Sequence, residues 1–101
     1  MEAKELQKDT VNDGCCPIAD AGDRERVELR GSLRTVTLRP RGGVPALEAE
    51  MYDGSGFITL IWLGRRRIAG IEPGRAIMVE GRIGVQEKMR VMFNPRYELR
   101  F

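Results

Sequence analysis

From Arg26 onward, polar and apolar residues alternate in short runs, and glycine or proline cuts off most of them. Val27, Leu29 and Leu33 are apolar while Glu28, Arg30, Ser32 and Arg34 are polar, the period of two that marks a half-buried strand. After Arg34-Thr35 the phase slips, and Val36 and Leu38 take over the apolar positions. A slip of this kind beside Gly31 predicts a β-bulge in a strongly bent first strand.

The loop Arg39-Pro40-Arg41-Gly42-Gly43-Val44-Pro45 ends that strand, because its prolines and glycines cannot continue a ladder. A second strand over residues 47–52 places Leu47, Ala49 and Met51 on one face and Glu48, Glu50 and Tyr52 on the other. Asp53-Gly54-Ser55-Gly56 carries hairpin-turn chemistry. The third strand, residues 57–63, is apolar on both faces except at Thr59, so it is either covered on both sides or exposed for contact. Trp62 alternates with Ile58 and Leu60 and belongs with the core. Residues 64–71 leave room for a helical turn or two before the tight turn at Glu72-Pro73-Gly74. A fourth strand spans 75–85, with Ile77, Val79 and Ile83 inward, and a fifth runs from Met89 to about Phe93. Asn94-Pro95 then interrupts the chain before residues 96–99 close it.

Residues 1–23 read differently. They are polar, weakly periodic and broken at Asn12-Asp13-Gly14 and Pro17, which predicts a flexible arm ahead of a domain over 24–101, with at most a brief helix near residues 3–8. Residues 1–25 hold three bases against seven acids, and the rest holds fourteen bases against eight acids. An acidic arm therefore precedes a basic domain, an arrangement suited to an anionic partner. The first residues lack an apolar signal core, and no apolar run approaches the roughly 20 residues that span a bilayer, so a cytoplasmic protein with no membrane contact is expected. Cys15 and Cys16 are adjacent, which disfavours a disulfide between them, and they read as reduced thiols.

Tyr52-Asp53-Gly54-Ser55-Gly56-Phe57-Ile58-Thr59-Leu60, Pro73-Gly74-Arg75, Val79-Glu80-Gly81-Arg82-Ile83 and Asn94-Pro95-Arg96-Tyr97-Glu98-Leu99 follow one another in a set order. In that order they resemble bacterial OB-fold nucleic-acid-binding domains. The likeness covers residues 26–99, and is greatest to the wedge domain of RecG-type helicases, the tRNA-anticodon-binding type and small stand-alone OB proteins of actinobacteria. Five strands with a short helix between the third and fourth is also the strand order of an OB barrel. The expected fold is thus all-β, a closed five-stranded OB barrel. No Walker-type phosphate loop is present, so the resemblance implies a recognition module without a motor.

Catalysis is poorly provided for. With no histidine there is no Ser–His pair, and the cysteines and acids show no metal-ligand spacing, so neither enzyme activity nor a cofactor is expected. OB barrels bind nucleic acid with cations along a groove and aromatic rings on which bases stack. Arg39 and Arg41 lie in the first loop, Lys88 and Arg90 bracket the connection before the fifth strand, and Arg34 lies on the outward face of the first strand. Tyr52 and Phe57 flank the second turn as stacking candidates, and Arg65, Arg66 and Arg67 form the densest positive run. Glu48 and Glu50 share the outward face with Tyr52 and would repel phosphates crossing it. The expected partner is single-stranded or structured nucleic acid, single-stranded DNA or RNA foremost, held by basic loops with little sequence preference. A protein partner or a second copy, meeting outward Phe57 and Ile61, is the alternative.

Overall fold

The computed structural model describes residues 16–100, so the helix considered near residues 3–8 and the thiol of Cys15 lie outside it. Seven strands follow one another: β1 (Arg26–Leu38), β2 (Ala46–Tyr52), β3 (Phe57–Leu63), β4 (Ala76–Arg82), β5 (Gly84–Gln86), β6 (Met89–Phe93) and β7 (Arg96–Arg100). They form one sheet in the order β5-β6-β3-β2-β1-β4-β7, antiparallel throughout except where β6 runs parallel to β3. The fold is all-β.

The sheet depends on β1, which serves two partners in succession. Its first half, Arg26 to Ser32, pairs with β4, and its second half, Ser32 to Leu38, pairs with β2. Where the two ladders meet, a Cβ on Gly31 would stand 2.6 Å from the Tyr52 carbonyl oxygen and 3.1 Å from the Met51 side chain. Only glycine lets the three strands approach so closely. Three residues on, the register slips between Leu33, opposite Met51, and Thr35, opposite Glu50, leaving Arg34 as the extra residue of a bulge.

Alternation then delivers the core. Leu29, Leu33, Leu47, Ala49, Met51, Ile58, Leu60, Ile77, Val79, Ile83 and Met92 are buried together on the inner face. Each large member contributes about 1.5–3 kcal/mol by leaving water. Trp62 joins them and donates its ring N–H to the Pro95 carbonyl at 3.2 Å. Ile61, expected to face outward as a contact residue, is instead fully buried in a small cluster with Ala46 and Val91 on the other face of the sheet.

The sheet is not closed, in contrast to the expected five-stranded barrel. Its two ends are β5 and β7, and both belong to one antiparallel run: β5 pairs with β6 and β4 with β7, the registers Gly84↔Val91 and Glu80↔Arg96 differing by a slip of one residue. The expected fourth strand also divides at Ile83, and only its last part, β5, pairs with β6. The expected helix between β3 and β4 is absent too; residues 64–75 are turns that bury Ile68 and Ile71. Three adjacent arginines would stand at the positive end of such a helix dipole, and Pro73 bars its continuation.

Residues 16–23, expected to belong to a flexible arm, are docked on the domain. A single 3-10 turn (Ile18–Asp20) buries Ile18 completely and is followed by buried Ala21. The Asp53 carboxylate accepts the Ile18 N–H at 2.9 Å, and the Ser55 hydroxyl accepts that of Ala19 at 3.1 Å. Arg90 completes the attachment, donating to the Ala21 carbonyl at 2.9 Å and to the Ala19 carbonyl at 2.8 Å. Burial, with help from Glu25, Asp20 and Asp53, raises the Cys16 thiol above its ordinary value, so the sulfur stays protonated at neutral pH. No helix among the described residues is long and apolar enough to cross a membrane.

Ile18 thus belongs to the core although it is the single large aliphatic residue between Val11 and Val27. Ile18→Ala should lower the unfolding free energy by about 2–5 kcal/mol. Urea titration of full-length chains measures this, and a loss below about 0.5 kcal/mol, as for surface substitutions, would show that the docking is loose.

Candidate functional site

The bulge in β1 and the hairpin joining β2 to β3 converge on one spot. Tyr52 and Phe57 are register partners at the mouth of that hairpin, and their rings stack with centroids 4.6 Å apart and planes inclined by 28°. Because a bulge re-aims the residue it adds, Arg34 reaches back over both rings, with its Cζ 5.4 Å from the Tyr52 centroid and 5.7 Å from that of Phe57. These are cation–π distances. Phe57 keeps 41% of its surface exposed, so part of the platform is open to solvent.

The hairpin under the platform is rigid. One Asp53 carboxylate oxygen accepts the Ser55 N–H at 2.8 Å, the Ser55 hydroxyl at 2.7 Å and the Gly56 N–H at 3.2 Å, while the other holds Ile18. Burial alone pushes the Asp53 carboxyl up, but these hydrogen bonds outweigh it and hold the group below its ordinary value.

The first basic loop is arranged differently from its sequence expectation. Arg41 and Val44 exchange both backbone hydrogen bonds, at 2.8 and 3.0 Å, across Gly42 and Gly43, which take the left-handed φ values of 57° and 83° that such a tight turn requires. Arg41 Nε and Nη2 both donate to one Glu48 oxygen, at 3.1 and 3.0 Å, and Arg39 Nε lies 3.7 Å from the other. Glu48 is only 14% exposed. Two cations and one anion therefore form a single cluster, which leaves the loop with about one net positive charge. The Arg41 guanidinium also lies 5.8 Å from the centre of the Phe93 ring on β6.

The remaining expected residues are dispersed. Lys88 is exposed in the turn from β5 to β6, where it and Glu87 take positive φ values of 67° and 50°. Arg65, Arg66 and Arg67 are exposed after β3, with no carboxylate in ion-pair range among the described residues. Arg90, counted with the loop cations from sequence, is occupied by the carbonyls of Ala19 and Ala21 and acts as a clamp.

A further concavity was not marked by any sequence motif. It is a cleft of about 840 Å³ between the end of β4 and the junction of β6 with β7, lined by Arg26, Arg65, Arg82 and Arg96, by Glu80 and by Trp62, Phe93 and Tyr97. Arg82 donates to the Arg24 carbonyl at 2.8 Å and Arg96 pairs with Glu80. Tyr97 meets the edge of Trp62 at 5.7 Å and 80°. The lining comes from four separate stretches of chain, which is why no local pattern announced it. Among the described residues, no group of three or more acids and cysteines is arranged to hold a metal ion.

No protein-family model and no curated protein matches the chain.

Since the folded chain binds a proton at Asp53 less readily than the unfolded chain does, this group contributes stability above the ordinary carboxylate value near pH 4. That contribution disappears as pH falls through the folded value. Asp53→Asn should therefore destabilise the protein at pH 7 and flatten the acid side of its stability curve. Urea midpoints measured at stepped pH test this, and an acid limb identical to that of the parent would remove Asp53 from the account.

Proposed function

We propose that this chain is a small OB-type module that binds single-stranded nucleic acid, DNA or RNA, with little sequence preference. The observation that carries the reading is the platform of Arg34, Tyr52 and Phe57, a stacked pair with Phe57 exposed and Tyr52 half-buried, beside a cation on the face formed by the second and third strands. That is the face, with its neighbouring loops, on which OB barrels hold oligonucleotides. Three strand relations support the OB reading: β1 is shared by β2 and β4, β6 lies parallel to β3, and β4 passes into β5 through Ile83 alone. In this reading β4 and β5 are one bent strand, and β6 and β7 are the two halves of its antiparallel partner.

Bases stack on Phe57 while Arg34 approaches the adjoining phosphate. The cluster of Glu48 with Arg39 and Arg41 leaves about one net positive charge where sequence offers two, so most phosphate contacts lie at the margins of the face. Arg66, Arg67 and Lys88 add to the surrounding positive field and to the rate of encounter.

A second reading rests on a separate observation. Leu63, Met89 and Phe93 are exposed apolar residues on the same face of β3 and β6, and a protein partner or a second copy would cover them. The salt dependence separates the two readings, because counterion release makes only the nucleic-acid complex strongly salt-sensitive.

Fluorescence anisotropy with labelled single strands at two salt concentrations is the direct test. Binding should weaken steeply with salt, and Phe57→Ala should weaken it by about 1–3 kcal/mol, the usual loss of one stacked base. Glu48→Gln should tighten binding by releasing Arg39 and Arg41. Absence of micromolar binding at low salt would sink the proposal.

A further inference from the structure

We infer that the arginine-lined cleft takes a second stretch of the same nucleic-acid strand, so that the footprint extends past the platform and around the end of the sheet. This rests on the nucleic-acid reading above and adds a site to it.

Charge is the first argument. Arg26 and Arg82 are direct partners in the ladder between β1 and β4, and like charges placed opposite one another destabilise a sheet. Glu80 is the single carboxylate among the residues lining the cleft, and Arg96 already holds it. Arg26 and Arg65 are exposed with no carboxylate in ion-pair range among the described residues. The hydrogen bond to the Arg24 carbonyl keeps the Arg82 guanidinium in place without neutralising it. An anionic ligand relieves this excess.

The aromatic lining specifies which kind of anion. Tyr97 is 37% and Phe93 41% exposed, and Trp62 lies buried beneath Tyr97, edge to face, fixing its ring. Exposed rings interleaved with guanidinium groups suit bases and phosphates in alternation, whereas an acidic peptide uses only the cations. Continuity completes the case. Phe93 lines the cleft and at the same time lies against the Arg41 guanidinium, so the loop of residues 39–45 leads directly into it. The cations also come from β1, β4, β7 and the segment after β3, a spacing that follows a polymer better than it surrounds one phosphate group.

The test compares full-length protein with Arg26→Gln/Arg65→Gln and, separately, with Tyr97→Leu, using single strands of about 5 and about 15 nucleotides, within the range one OB fold covers. Urea midpoints serve as the folding control. The parent should bind the longer strand at least ten-fold more tightly. The double variant should lose most of that advantage, with the salt slope shallower by about 1.4 for two lost phosphate contacts, and its affinity for the short strand should stay within two-fold. Tyr97→Leu should weaken the long strand at an unchanged salt slope. Equal losses for both lengths, or none, in variants that remain folded would overturn the inference. So would a mononucleotide that saturates the cleft while leaving the long strand bound. If the parent binds neither strand, the functional proposal itself fails; if it binds both but the cleft variants behave as the parent does, only the inference fails.

Discussion

Everything in this fold depends on β1 pairing with two strands in turn. Thirteen residues must leave one ladder and join another, and the transition is confined to Gly31 and Ser32, where backbone carbonyl and side chain press close enough to exclude a Cβ. Without that crossing, β4 and β2 would have no common neighbour and the inner residues of the sheet could not face one another. The bulge that follows turns Val36 back onto the core, while Leu38 stays exposed. It also leaves Arg34 out of the ladder, above the aromatic pair. One local irregularity thus serves both the packing of the core and the construction of the surface that we assign to binding.

Much of the strand architecture was legible in the sequence, because alternation and turn chemistry are local. The phase slip near Arg34, the bounds of β3, the hairpin at residues 53–56 and the inward Trp62 all follow from residues within a few positions of one another. Features made by distant residues were not legible. Ile18 has no apolar neighbours at strand spacing, yet its burial is arranged by Asp53 and Arg90, 35 and about 70 residues away. Arg90 looked like a loop cation because nothing beside it shows that two carbonyls await it. The pairing of β7 with β4, from Glu80↔Arg96 to Ala76↔Arg100, is likewise one that no periodicity could announce.

The same division holds for the candidate site. Tyr52, Phe57 and Arg34 were recognisable by their outward positions, though their stacking was not. Glu48 was anticipated as a charge on a solvated face; the tight turn at Gly42-Gly43 brings Arg41 back onto it, and the expected repulsive carboxylate is a largely covered partner. Charge counted along the chain therefore overstates what the first loop can offer. The cleft shows the opposite error. Arg26, Arg82 and Arg96 are unremarkable in sequence, and they become a positive surface only because β1, β4 and β7 lie side by side.

β7 has one further consequence, for how copies of the chain meet in solution. Among the described residues it is an outer strand of the sheet, with no strand on its far edge, and such an edge offers backbone groups to any similar edge. Arg96, Glu98 and Arg100 alternate along it on one face. If two copies aligned these strands antiparallel over their full length, Glu98 would stand opposite Glu98 and Arg96 opposite Arg100. Every charged pair would be repulsive, so this edge resists pairing with its own copy.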